Sequence, residues 1–182
     1  ERQALLMREI NHRIKNLFAL TGGLISLSAR AADSVEELEE NLRERVAALA
    51  RAHALTMPEG VEQPAGATNL IELLRAILSP YEADQGHVVE IEGDDIPVHG
   101  SGLTSLALVF HEFATNAAKY GALSAADGRL SIKLERQGET LLLKWIERGG
   151  PTVTGSPDHA GFGSKLEKAT LSGLGAVVEK VW

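Results

Sequence analysis

The tract over residues 58–68, rich in glycine, proline and alanine, divides the chain into two stretches whose apolar residues recur with different periods. A segment of that composition neither propagates a helix nor builds a core, so each flank must fold on its own terms. It predicts two domains, one over residues 1–60 and one over residues 61–182.

Upstream of the tract only helices fit. Leu6, Ile10, Ile14, Leu17 and Leu24 form one apolar stripe on a helix over residues 2–30, with Gly22-Gly23 as a weak point that permits a bend. Ser34-Val-Glu-Glu37 reads as a capping box opening a second helix, in which Leu38, Leu42, Val46 and Leu49 face inward. Pro58 and Gly60 end that helix near Thr56. Two such helices pack antiparallel but enclose a thin core. A second copy of the chain, forming a homodimeric four-helix bundle, or a further domain would complete it.

Downstream, helices and strands mix. Asn69-Leu-Ile-Glu72 resembles a capped helix start, and Val88 to Glu92 alternates as a strand. Ser101 is placed to cap a helix over residues 102–120, with Leu103, Leu106, Phe110, Phe113 and Ala117 inward. Strands over 129–135 and 140–147 flank a turn at Gly138, and a loop over 148–160 leads to a short helix near 164–171 and a last strand over 176–182. The whole is α+β: a helical hairpin, then an α/β sandwich with helices layered over a mixed sheet. Glu1 opens in uncapped helical sequence and the last strand stops without a turn, so an upstream domain and a few further C-terminal residues are expected.

Composition removes several classes of function. With 18 basic against 25 acidic side chains the net charge is −7, which disfavours non-specific nucleic-acid binding. The absence of cysteine excludes disulfides, thiolate metal sites and cysteine nucleophiles, and points to the cytoplasm. No apolar run approaches the ~20 residues of a membrane span. Since 44% of residues are hydrophobic but only 4% aromatic, the core must rest on Leu, Val, Ile and Ala.

Three clusters carry chemistry. In His111-Glu-Phe-Ala-Thr-Asn116-Ala-Ala-Lys-Tyr-Gly121, helical spacing puts Glu112, Asn116 and Lys119 on one side. A carboxylate, an amide oxygen and an ammonium together suit Mg-bound phosphates, although a solvated helix face carries the same residue types. In Trp145-Ile-Glu-Arg-Gly-Gly-Pro151, Glu147 leaves the end of a strand, where its carboxylate can accept the amino group of adenine. Gly149 and Gly150 allow backbone to approach a flat base. In Gly161-Phe162-Gly163, free amides precede a helix and face phosphates. Glycines also make ordinary turns, and Trp145 also fits a core.

On the first helix, His12 projects almost opposite Ile10, and Asn16 lies one turn further along its face. A neutral imidazole is a competent nucleophile; Arg13 and Lys15 attract phosphates, and Glu9 orients the ring or takes its proton. Solvated helix charges are the plain alternative. His53 reads as a packing or hydrogen-bonding residue, and His87, His99 and His159 lack zinc-site spacing.

Taken together the segments resemble the catalytic core of HWE-family sensor histidine kinases. His12-Arg-Ile-Lys-Asn16 is similar to the HRxKN phosphoacceptor box, and residues 45–53 to the second dimerisation helix. Residues 111–124 are similar to the N-box, and Trp145-Ile-Glu147 supplies the other named feature. The resemblance implies a Bergerat-type ATP-binding fold using ATP and Mg²⁺. Asn116 and Glu112 would be at the metal, Lys119 and Tyr120 along the nucleotide, and Glu147 at adenine. Gly149, Gly161, Phe162 and Gly163 would shape the pocket and a short lid. It also implies two-component signalling: phosphoryl transfer to His12, by Nε2 or Nδ1, then to an aspartate on a response-regulator receiver domain, under an N-terminal sensory domain in the full-length protein. The residues by themselves also fit an ATP hydrolase or serine kinase that dispenses with His12, and a nucleotide-sensing scaffold without phosphotransfer.

Overall fold

The computed structural model describes residues 15, 18, 21–26, 28–30, 32–56, 67–83, 88–152, 175–179 and 181. They fall in two units, Glu1–Ala47 and Ala48–Trp182. The linker over 57–66, Glu9, His12, Arg13, Asn16, Gly161 to Gly163 and the short helix expected near 164–171 lie outside the described residues.

In the first unit, residues 21–26, 28 and 29 are helical, and Leu24 is buried as its stripe requires. After a turn comes α1 (Val35–Ala54), whose last turns, from Ala48 on, are counted with the second unit. Ser34 caps it, its Oγ accepting from the Glu37 amide at 3.1 Å. The return half of the box differs from the expectation, because the Glu37 carboxylate accepts from the Asp33 amide at 2.8 Å, one residue before the cap. Thr56 closes the far end, donating from both its amide and its hydroxyl to the His53 carbonyl.

The inward face of α1 is rotated from the predicted stripe. Val46 is 49% exposed, whereas Arg45 is buried at 6%, in line with buried Ala48, Leu49 and Ala52. Alanines are small enough to serve a close-packed face, and the Arg45 stem is itself apolar. Its head donates to the Ser28 hydroxyl at 2.9 Å inside the hairpin, so the charge is not buried without a partner.

The second unit contains a two-stranded antiparallel ribbon, β1 (Ala67–Asn69) with β3 (Pro97–His99), and a three-stranded sheet. In the sheet, β2 (Val88–Gly93) pairs parallel with β4 (Arg129–Gln137), and β4 pairs antiparallel with β5 (Thr140–Arg148) around Gly138. The sheet is therefore mixed, as expected, while Ala67 and Thr68, read as linker, pair as strand.

Helix α2 (Leu70–Ala83) buries Leu73, Leu74, Ile77 and Leu78 completely. Each such side chain contributes about 1.5–3 kcal/mol of apolar burial. Pro80 has no amide for the Ala76 carbonyl, and the Ser79 hydroxyl donates to it instead at 3.2 Å. The cap of α2 is not the Asn69–Glu72 box. The Ile71 amide donates to Asp95 Oδ1 at 3.0 Å, and Glu72 accepts from Thr68. Asp94, next to it, accepts from the Arg136 amide at 2.7 Å, so one loop ties α2 and β4 together. Asp95→Ala is expected to cost about 1 kcal/mol, read by chemical denaturation. An unchanged midpoint would show that water replaces the cap.

Helix α3 (Gly100–Lys119) starts two residues earlier than predicted. His99 holds the N-cap position with extended backbone and no side-chain cap, which puts Ser101 within the first turn. Leu103, Ala107, Leu108, Phe110, Ala114 and Ala117 are buried, and His111 with them. On the sheet, Leu130, Ile132 and Leu134 are buried on one face of β4, opposite Glu147, Trp145 and Leu143 of β5. Phe113 of α3 meets Trp145 edge to face at 5.6 Å, fixing α3 over that face. The opposite face is polar, with Lys133 paired to Glu92 at 2.6 Å and Lys144 to Glu135 at 3.6 Å.

The last predicted strand is not formed among the described residues. Residues 176–179 and 181 have no regular structure, and Val177 and Val181 are almost fully exposed. Valine-rich sequence suits a strand only where a neighbouring strand supplies backbone partners, and among the described residues none does.

Candidate active site

The polar side of α3 is the side its core does not use. Glu112 is half-buried, and Asn116 and Lys119 are exposed, all within a narrow arc of the helix. Tyr120 follows as the C-cap, 72% exposed, its amide donating to the Asn116 carbonyl at 2.8 Å. Gly121 shares its amide between the Asn116 and Ala117 carbonyls, both at 3.1 Å, and a short 3₁₀ turn over Ala122–Ser124 leaves at that point.

The other half of the site arrives there from β5. Glu147 lies on the strand face that carries Trp145, and its carboxylate crosses to the end of α3. Oε2 accepts from the Ala122 amide at 2.8 Å, and Oε1 accepts from the Trp145 indole nitrogen at 3.0 Å. This route exists because residue 121 is glycine: a Cβ there would collide with Glu147 Oε2. Glu147 is thus set beside the turn that directly follows Asn116, Lys119 and Tyr120. The sequence clusters at 111–121 and 145–150 become one place.

Ala122 is hemmed in by backbone. A Cβ on Gly128 would strike the Ala122 carbonyl, and one on Gly150 would lie 2.8 Å from the Ala122 nitrogen. Gly149 turns with φ +74°, a conformation side chains disfavour, and a Cβ on it would lie 2.7 Å from the Asp127 carbonyl oxygen. The close approach that these glycines allow is therefore to the chain's own 121–128 segment, where the sequence suggested approach to a base. Nothing in the sequence pattern flagged Gly128, and Ala122 entered only within the 111–124 stretch with no role of its own, since both act through backbone atoms.

Lys15, the described member of the His12 segment, is helical and exposed. Among the described residues no group of three or more His, Asp or Glu side chains is gathered tightly enough to hold a metal unaided. A separate open cleft of about 510 Å³, lined by Arg75, Ser79, Glu82 and β2, touches none of these residues. No helix among the described residues is long and apolar enough to cross a membrane.

The HWE histidine kinase family model matches residues 9–95. The chain is 35% identical over 182 residues to blue-light-activated histidine kinase 1 of Erythrobacter litoralis, covering 99% of this chain and 50% of that protein. It is 35% identical over 175 residues to a blue-light-activated histidine kinase of Brucella anthropi, covering 94% of this chain and 35% of that protein. It thus spans about half the length of the first and about a third of the second. In fold, it is similar to the E. litoralis EL346 blue-light activated histidine kinase, at TM-score 0.65 and 19% identity over 92% of this chain and 58% of that one. The separate histidine kinase domain of EL346 gives TM-score 0.59 at 22% identity, over 92% of this chain and 82% of that one. The α+β architecture, a helical region followed by a small-sheet domain, is shared with these two structures. The family model and both relatives thus match this chain as an HWE-family histidine kinase catalytic core.

Proposed function

We propose that this chain phosphorylates His12 from Mg-ATP and passes the phosphoryl group to an aspartate of a response-regulator receiver domain. Residues 1–60 act as the phosphotransfer hairpin and residues 61–182 as the ATP-binding domain. The observation that carries the nucleotide half is the meeting of Glu147 with the end of α3, beside the Glu112, Asn116 and Lys119 face. Family membership brings use of ATP and Mg²⁺ with it.

Within this reading Glu112 and Asn116 would hold the metal, whose contribution is to neutralise charge on the phosphates. Lys119 offsets further charge, Tyr120 flanks the nucleotide, and Glu147 accepts the adenine amino group through its unused lone pairs. Gly149, Gly161, Phe162 and Gly163 shape the rest of the pocket. On the hairpin, the neutral His12 ring attacks through Nε2. A nitrogen–phosphorus bond forms as the bond to the β–γ bridging oxygen breaks, and ADP leaves. Arg13, Lys15 and Asn16 steer phosphate oxygens, and Glu9 takes the ring proton. The two domains must approach for transfer, and a second copy of the chain forms a dimer through the hairpin. The place of action is the cytoplasm, under a sensory domain of the whole protein.

Incubation with Mg-ATP, with acid avoided so that phosphohistidine survives, followed by mass mapping tests this. His12 is expected to carry the label and His12→Ala to lose it. Turnover of ATP with His12 unlabelled would instead identify a hydrolase or a kinase for another residue. Binding without turnover would identify a nucleotide-sensing scaffold.

A further inference from the structure

We infer that Trp145 is a positioning residue for base selection, acting through Glu147. This rests on the reading of Glu147 as the adenine acceptor, and it explains what the tryptophan of the Trp-Ile-Glu segment does there.

Glu147 is an exposed residue at the end of a strand, and a free carboxylate in such a place samples several rotamers. Two donors restrict it. The Trp145 indole holds Oε1 at 3.0 Å, and the Ala122 amide holds Oε2 at 2.8 Å. An ionised carboxylate has about four acceptor positions, so two donors fix its plane and still leave capacity for a ligand. Gly121 supplies the room, since a Cβ would occupy the space of Oε2.

The indole is itself fixed. Trp145 stands opposite Ile132, and its ring meets Phe113 edge to face with an interplanar angle of 69°. Packing from α3 and β4 thus sets where the N–H points, and the N–H sets the carboxylate. A tryptophan kept only to fill the core needs its ring. This one also spends its single polar atom on the residue two positions along.

The test is a comparison of ATP with purine riboside triphosphate, which lacks only the 6-amino group, by binding affinity on the full chain. The parent is expected to prefer ATP by about tenfold, the worth of a hydrogen bond to a charged group. Trp145→Phe keeps a ring against Phe113 but loses the donor. It is expected to weaken ATP by about three- to tenfold and to leave the 6-unsubstituted nucleotide within about twofold. If Trp145→Phe weakens both nucleotides alike, the tryptophan is structural and the inference is overturned. If Glu147→Ala removes the preference while Trp145→Phe preserves it, the positioning role alone fails. If the parent shows no preference, the adenine reading of Glu147 fails and the inference with it.

A second measurement avoids the indole substitution altogether. The chain has two tryptophans, so two indole N–H resonances are expected in a ¹⁵N correlation spectrum. Glu147→Gln should move that of Trp145. An unmoved Trp145 resonance would overturn the proposal.

Discussion

Asn116→Ala is expected to slow Mg-ATP-dependent labelling of His12 by about 10²- to 10³-fold, because it removes one of the two oxygen ligands proposed for the metal that offsets charge in the transition state. The stability change should stay within about 0.5 kcal/mol, because the side chain is exposed and the helix bonds at that position run through its backbone carbonyl. Alanine leaves that carbonyl in place to accept from Tyr120 and Gly121. The two readouts therefore separate: labelling falls while the melting curve holds. Labelling within tenfold of the parent would remove Asn116 from the metal and leave Glu112 as the sole proposed oxygen donor on α3.

Gly128→Ala should act in the opposite way, on the fold first. Gly128 is buried, and its missing side chain is where the Ala122 carbonyl lies. Backbone has little freedom to yield, since the Ala122 amide is held by Glu147 and Gly150 presses from its other side. Over-packing of this kind costs about 2–4 kcal/mol, or about 5–15 °C in melting temperature for a chain of this size. Nucleotide binding should weaken as well, because moving Ala122 releases one of the two donors on Glu147. A melting temperature within about 2 °C of the parent would show that the 122–128 turn relaxes freely, and would discount the crowding described here.

Local chemistry was legible in the sequence and distant chemistry was not. Ser34 caps α1 as its spacing with Glu37 foretold, because donor and acceptor are three residues apart. The cap of α2 was misread, because its acceptor, Asp95, is 24 residues further along. The apolar stripe of α1 misplaced Val46, since pattern reading favours a large aliphatic residue over an arginine that can bury its stem and bond Ser28. The strand pattern at 176–182 was real as a pattern, but a strand needs a neighbour, which no local period can specify. At the site, helical spacing gathered Glu112, Asn116 and Lys119, and strand alternation put Trp145 and Glu147 on one face. Their junction at Ala122 depends on a backbone amide, and every non-proline residue has one, so the sequence carried no mark of it.

Gly121 and Glu147 share one volume, and that ties their histories together. Any side chain gained at 121 must evict the carboxylate, and any residue at 147 without one leaves the indole and the Ala122 amide without their shared acceptor. Neither position can drift alone without passing through a crowded or an emptied intermediate. Among descendants of this chain, the residue at 121 is therefore constrained from two sides, by what stands at 147 and by the Ala117 Cα, which a Cβ would approach to 2.9 Å.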